Sequence, residues 1–135
     1  MGHLAEDKLE EILQKTGNPY YKEVTLETIK ERYNIDISQL SNRKVSSKRF
    51  DYIMEKNGEL YLFESSYYTS NGSKQNELSR SYTEICKAIN NIQGLHFIWV
   101  VDGNGWKSSK NALEKAYNVM PDVYNFSELE EMLYA

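Results

Sequence analysis

Residues 49–66 read Arg49-Phe50-Asp51-Tyr52-Ile53-Met54-Glu55-Lys56-Asn57-Gly58-Glu59-Leu60-Tyr61-Leu62-Phe63-Glu64-Ser65-Ser66, and this stretch decides the fold. Asn57-Gly58 is a strong turn signal, because both residues accept the positive φ that a tight hairpin demands. The runs on either side therefore read as two antiparallel strands. Leu60-Tyr61-Leu62-Phe63 has the aromatic and apolar content of a buried strand. Closing the hairpin brings Asp51 and Glu64 side by side at the rim of a sheet. Successive strand side chains point to opposite faces, so Glu64 and Ser66 share one, and Asp51 can join them from the neighbouring strand.

Working outward, Leu4, Leu9, Ile12 and Leu13 lie on one side of a first helix with acids on the other, and Thr16-Gly17 stops it. Tyr20 to Val24 reads as a short strand and Thr25 to Tyr33 as a brief polar helix. Asn34 to Lys48 is polar and without period, as a loop would be. After the hairpin, Ser70-Asn71-Gly72-Ser73 reads as a loop. Leu78, Tyr82, Ile85, Cys86 and Ile89 then recur at helical spacing until Gly94. Phe97-Ile98-Trp99-Val100-Val101 is apolar on both faces, which suits a central strand. Asp102 to Gly105 makes a turn, Ala112, Leu113, Ala116 and Tyr117 mark another helix, and Val123-Tyr124 a last short strand. Ser127 with Glu130 has the spacing of a capping box for a C-terminal helix. This order predicts an α/β fold, a mixed sheet with helices on both faces.

A chain of 135 residues suits one compact domain, 1–135. With 40% hydrophobic and 27% charged residues it fits neither a disordered chain nor a membrane span. No apolar run approaches the roughly 20 residues of a transmembrane helix. The acidic start, Met1 to Asp7, lacks a signal-peptide pattern, so a cytoplasmic location is expected. The single Cys86 suits a reducing compartment and reads as core. His3 and His96 are too few and too far apart to suggest zinc. The net charge of −4 does not advertise a nucleic-acid partner, yet Arg43, Lys44, Lys48 and Arg49 fall within seven residues. That run is either a solvated loop or a phosphate-tracking patch.

Two carboxylates on adjacent strand ends match the needs of magnesium, which takes oxygen ligands, typically one or two carboxylates plus waters and a substrate phosphate. A metal held there activates water and stabilises the leaving oxygen of a phosphodiester. The plainer alternative is a pair of solvated acids beside a turn. Three additions favour the chemical reading. Glu6 sits on the helix before the sheet, within reach of the same cluster. Asn71-Gly72-Ser73-Lys74 follows the acid strand and brings backbone and a cation. Trp99 to Lys107 ends a central strand with a glycine turn, an aromatic and a base.

Taken in order, Gly2-His3 with Glu6, Lys48-Arg49-Phe50-Asp51, Glu64 with Tyr67-Tyr68, Gly72-Ser73-Lys74-Gln75-Asn76-Glu77, Ser79-Arg80-Ser81-Tyr82, Trp99 to Lys107, Ala116-Tyr117-Asn118-Val119 and Val123-Tyr124-Asn125 resemble the DpnII/MboI restriction endonucleases. The resemblance runs from the second residue nearly to the end and corresponds to the C-terminal catalytic part of those longer enzymes. It implies a restriction-endonuclease-like αβββαβ core of the PD-(D/E)xK superfamily, a magnesium cofactor, and cleavage of double-stranded DNA at GATC in a prokaryotic restriction system. Carried over, it makes Asp51 and Glu64 the metal ligands and Glu6 an accessory acid. It places Lys74, Asn76 and Arg80 where DNA contacts are expected, beside Arg43, Lys44, Lys48, Arg49 and Lys107. The superfamily motif carries a lysine two residues after the glutamate; here Ser66 stands there, and Lys74 is the substitute cation that sequence position suggests. A palindromic site implies a homodimer. Two alternatives stay open: a DNA-binding remnant without catalysis, and a dimeric interaction module that binds no nucleic acid.

Overall fold

The structure is a computed structural model that describes residues 3–33, 45, 47–67, 73–102 and 122–134. Its elements follow the chain as α1 (His3–Thr16), β1 (Tyr20–Val24), α2 (Leu26–Tyr33), β2 (Phe50–Lys56), β3 (Glu59–Tyr67), α3 (Ser73–Asn90), β4 (Leu95–Asp102), β5 (Asp122–Tyr124) and α4 (Phe126–Tyr134). The five strands form one sheet in the order β1-β2-β3-β4-β5. The pairs β1·β2 and β2·β3 are antiparallel, while β3·β4 and β4·β5 are parallel. The mixed directions follow from the connections. A two-residue turn can join only antiparallel neighbours, whereas the return from β3 to a parallel β4 needs a crossover, which α3 supplies.

Both faces of the sheet are covered. On one, Leu26 and Ile29 of α2 and Ile85, Cys86 and Ile89 of α3 pack with Ile53, Leu62, Phe97 and Trp99. On the other, Leu9 and Leu13 of α1 and Leu129 and Leu133 of α4 pack with Tyr52, Met54, Phe63, Ile98 and Val100. Strand β4 shows the logic: Phe97, Trp99 and Val101 serve one cluster and Ile98 and Val100 the other, so a run without polar alternation is what this position requires. Each such fully buried side chain contributes about 1.5–3 kcal/mol of transfer free energy.

The helix boundaries are set locally. Gly17 takes a φ of 75° after α1, and its N–H donates to the Gln14 carbonyl. Thr25 caps α2 by accepting from the Thr28 N–H at 3.1 Å. The capping box of α4 is not the expected Ser127–Glu130 pair. Asn125 is the cap: its Oδ1 accepts from the Glu128 N–H at 2.7 Å, and Glu128 Oε1 accepts from the Asn125 N–H at 3.0 Å. Asparagine caps as well as serine, and burial of Phe126 starts the helix two residues before the serine-based reading. Helix α3 begins at Ser73, so Lys74 stands in its first turn and not in a loop. The helix expected around residues 112–117 and most of the stretch 34–48 lie outside the described residues. Among the described residues no helix is long and apolar enough to cross a membrane.

Candidate active site

The β2–β3 ladder runs from Lys56↔Glu59 to Tyr52↔Phe63. One more step sets Asp51 across from Glu64, and there backbone pairing gives way to side chains. Glu64 Oε2 accepts from the Asp51 N–H at 2.9 Å. Asp51 Oδ2 accepts from the Ser65 N–H at 2.9 Å and from the Ser65 hydroxyl at 3.0 Å. Each carboxylate thus binds the backbone of the opposite strand, which fixes both acids without a regular ladder between them. Buried N–H groups must find acceptors somewhere, and here the acids are those acceptors.

The neighbouring strand marks the same place. Lys22 pairs with Tyr52 and Val24 with Phe50, and Glu23 between them takes a φ of 54°. Alternation would put Phe50, Tyr52 and Met54 on one face, yet Phe50 joins the α3-side cluster while Tyr52 and Met54 join the α1-side cluster. Strand β2 therefore rotates at Asp51. A non-glycine residue held at positive φ costs on the order of 1–3 kcal/mol, and such strain concentrates at functional sites.

Glu64 is the electrostatic centre. Its side chain is only 7% exposed, and Lys48 Nζ lies 2.6 Å from its Oε1. Burial, then the negative charge of Asp51, push the Glu64 pKa above the ordinary carboxylate value; Lys48 and the Asp51 N–H oppose the rise without cancelling it. Lys48 stands just before β2, with its ammonium 5.7 Å from the centre of the Phe50 ring. Ser66 continues the row of Leu60, Leu62 and Glu64 on β3, and its Oγ accepts from the Trp99 indole N–H at 3.1 Å.

The remaining expected site residues are distributed as follows. Glu6, on α1, meets β2 through Tyr52, whose hydroxyl donates to the Glu6 carbonyl at 3.1 Å. The Tyr52 pKa lies well above the ordinary tyrosine value, through burial and then the charges of Glu10 and Glu6. Among the described residues no group of three or more His, Cys, Asp or Glu side chains comes together as a metal cluster, so Glu6 does not complete a triad with Asp51 and Glu64. Arg49 is exposed beside the acid end. Lys74, Asn76 and Arg80 fall on α3 with side chains outside the described set, and Arg43, Lys44 and Lys107 lie outside it altogether.

Reading the residues alone missed three participants. Ser65 escaped because strand alternation turns it away from Glu64. The Trp99 indole escaped because an aromatic in a central strand reads only as core. Lys48 was read as a phosphate contact; its place three residues before the first acid, at the mouth of β2, was the available signal for a bond to Glu64.

Asp51 and Glu64 are hard oxygen donors on adjacent strands, and their mutual repulsion is what a divalent cation relieves. The donor set fits magnesium. The family model described as DpnII restriction endonuclease matches residues 1–135. The type II restriction enzyme DpnII of Streptococcus pneumoniae is 36% identical over 114 residues, covering 84% of this chain and 40% of that protein. MboI of Moraxella bovis is 35% identical over 122 residues, 90% of this chain and 41% of its own. MjaIII of Methanocaldococcus jannaschii is 30% identical over 136 residues, 98% and 46% respectively. The chain spans about two fifths of the length of the first two of these relatives. No solved structure matches it.

Proposed function

Since the chain belongs to the DpnII restriction endonuclease family, we propose that it is the catalytic part of a type II site-specific deoxyribonuclease that cuts double-stranded DNA at GATC. The observation that carries this reading is the reciprocal bonding of Asp51 and Glu64 across the end of the hairpin. It presents two fixed carboxylates where a regular ladder would present none. Asp51 and Glu64 would hold a magnesium ion, which when bound lowers the pKa of water and offsets the charge that builds on the phosphate oxygens.

This chain's own residues do the rest. Ser65 holds Asp51 by two hydrogen bonds, so its carboxylate needs no reorganisation when substrate arrives. The Asp51 N–H orients Glu64. The water oxygen bonds to phosphorus as the bond to the leaving strand oxygen breaks. One end becomes a phosphate monoester and the other a hydroxyl, with one water consumed. Arg43, Lys44, Arg49, Lys74, Arg80 and Lys107 grip backbone phosphates, which positions the duplex without reading its bases. A palindromic target has a two-fold axis, so a homodimer places one site on each strand. A DNA substrate and relatives from bacteria and an archaeon support a prokaryotic cytoplasmic location.

A second reading, DNA binding without catalysis, draws on one observation: position 66 holds an uncharged side chain whose hydroxyl already serves Trp99. One experiment separates the two. Plasmid carrying GATC sites is incubated with magnesium and either the parent or Asp51→Ala. Discrete fragments from the parent alone support the nuclease. Retardation in a gel without cleavage by either protein supports the binding remnant, and neither retardation nor cleavage leaves the interaction module.

A further inference from the structure

We propose that Lys48 is the active-site lysine of this chain, supplied from the segment that enters β2 and not from the position two residues after Glu64. The inference rests on the nuclease reading and names the residue that supplies its cation. Two contacts carry it. At position 66 the serine is no cation, and its Oγ accepts the Trp99 indole N–H at 3.1 Å, so it is tied to the core. Lys48 Nζ, by contrast, lies 2.6 Å from Glu64 Oε1, with its side chain 27% exposed.

A lysine that only grips phosphates reaches into solvent, as a compact charge on a flexible stem. Lys48 is turned inward onto the acid proposed as the second metal ligand, and its ammonium stands over the ring of Phe50, 5.7 Å from the centroid. This placement gives it two successive duties. Before metal arrives it is the counter-charge of a buried carboxylate. With a divalent cation held by Asp51 and Glu64 the ion pair would no longer be needed, and Nζ would stand beside the acid pair with three donors to offer. It then orients the attacking water and hydrogen-bonds the phosphate oxygens as their charge grows, a contribution of the order of 100-fold or more in rate.

The test uses the full chain, Mn2+ alone as the metal probe, and a GATC duplex as substrate. Mn2+ binding is read by electron paramagnetic resonance without DNA, duplex affinity in Ca2+, and cleavage in a single turnover at saturating Mg2+. Lys48→Met is expected to bind Mn2+ several-fold more tightly than the parent, because the competing ammonium is gone. Duplex affinity should change little and the cleavage rate should fall about 100-fold. Because that variant leaves Glu64 without its partner and can fold poorly, Lys48→Cys treated with 2-bromoethylamine provides the second arm. It rebuilds an ammonium at nearly the same distance, and the rate should return, with identically treated parent as the control for the buried Cys86. Unchanged Mn2+ affinity, a Lys48→Met rate within a few-fold of the parent, a loss confined to duplex affinity, or no rescue by aminoethylation would each overturn the assignment. Failure of the underlying reading looks different: the parent itself cuts nothing, and Asp51→Ala binds Mn2+ as the parent does.

Discussion

At its turn, the β2–β3 hairpin follows every local rule: Asn57 and Gly58 take φ of 56° and 81°, and the ladder pairs each residue from Lys56↔Glu59 to Tyr52↔Phe63. At its other end the rules fail together. Backbone pairing stops, two carboxylates bind backbone N–H groups of the facing strand, β2 rotates, and Glu23 on the adjoining strand is forced to positive φ. The turn end is built for stability, and in the proposed function the acid end is built for chemistry. Natural chains break local consistency where function demands it and recover the cost elsewhere; here the two apolar clusters on either face of the sheet provide the recovery.

The contrast is open to attack from both ends, and the largest effect is expected at the acid end. Asp51→Ala should lower single-turnover cleavage of a GATC duplex by roughly 1,000-fold or more, about 4 kcal/mol of barrier. The same change should cost about 1–2 kcal/mol in stability, since it leaves the part-buried Ser65 N–H and hydroxyl without their acceptor. A variant that cuts at the parental rate would remove Asp51 from the chemistry.

Next in size is the loss of the counter-charge. Lys48→Met should lower unfolding free energy at pH 7 by about 1–3 kcal/mol in urea titration, because Glu64 is left buried without its partner. A midpoint equal to the parent's would mean the ion pair contributes nothing to the fold.

The turn end provides the control. Gly58→Ala places a Cβ at φ 81° and should cost about 1 kcal/mol or somewhat more in urea, with no change in cleavage per folded molecule. A loss of rate without a loss of stability would show that the two ends are not separable.

The smallest effect concerns pH. Burial and the Asp51 charge raise the Glu64 pKa above its ordinary value of 4.5. A carboxyl whose folded pKa exceeds its unfolded value contributes its full stability below the unfolded pKa and loses it as pH climbs through the folded one. Glu64→Gln cannot ionise, so the melting temperature of this variant minus that of the parent should increase as pH rises from below 4.5 toward neutrality. A difference that stays flat, or falls, across that window would contradict the direction of the shift.

Much of this was legible in the chain. The Asn57-Gly58 turn, the doubly apolar run 97–101 and the helical spacing of Ile85, Cys86 and Ile89 gave the hairpin, the central strand and the crossover helix, because each is written in local periodicity or turn chemistry. The Asp51–Glu64 pairing followed from counting residues out from the turn. What escaped depends on contacts distant in sequence or on broken regularity. Trp99 reaches Ser66 across 33 positions. The bond between Lys48 and Glu64 requires β2 to enter beside the end of β3; the place of Lys48 three residues before Asp51 hints at it, and only the fold joins the two. The cap of α4 at Asn125 was misplaced because two residues within three positions both have cap chemistry, and packing of Phe126 decides between them.

The most direct test of the central claim is anomalous diffraction from crystals of the chain grown with Mn2+. The account expects a peak within bonding distance of both the Asp51 and Glu64 carboxylates, with Lys48 Nζ moved off Glu64 Oε1. Saturating Mn2+ with no peak between those two acids, and Lys48 still bound to Glu64, would contradict it.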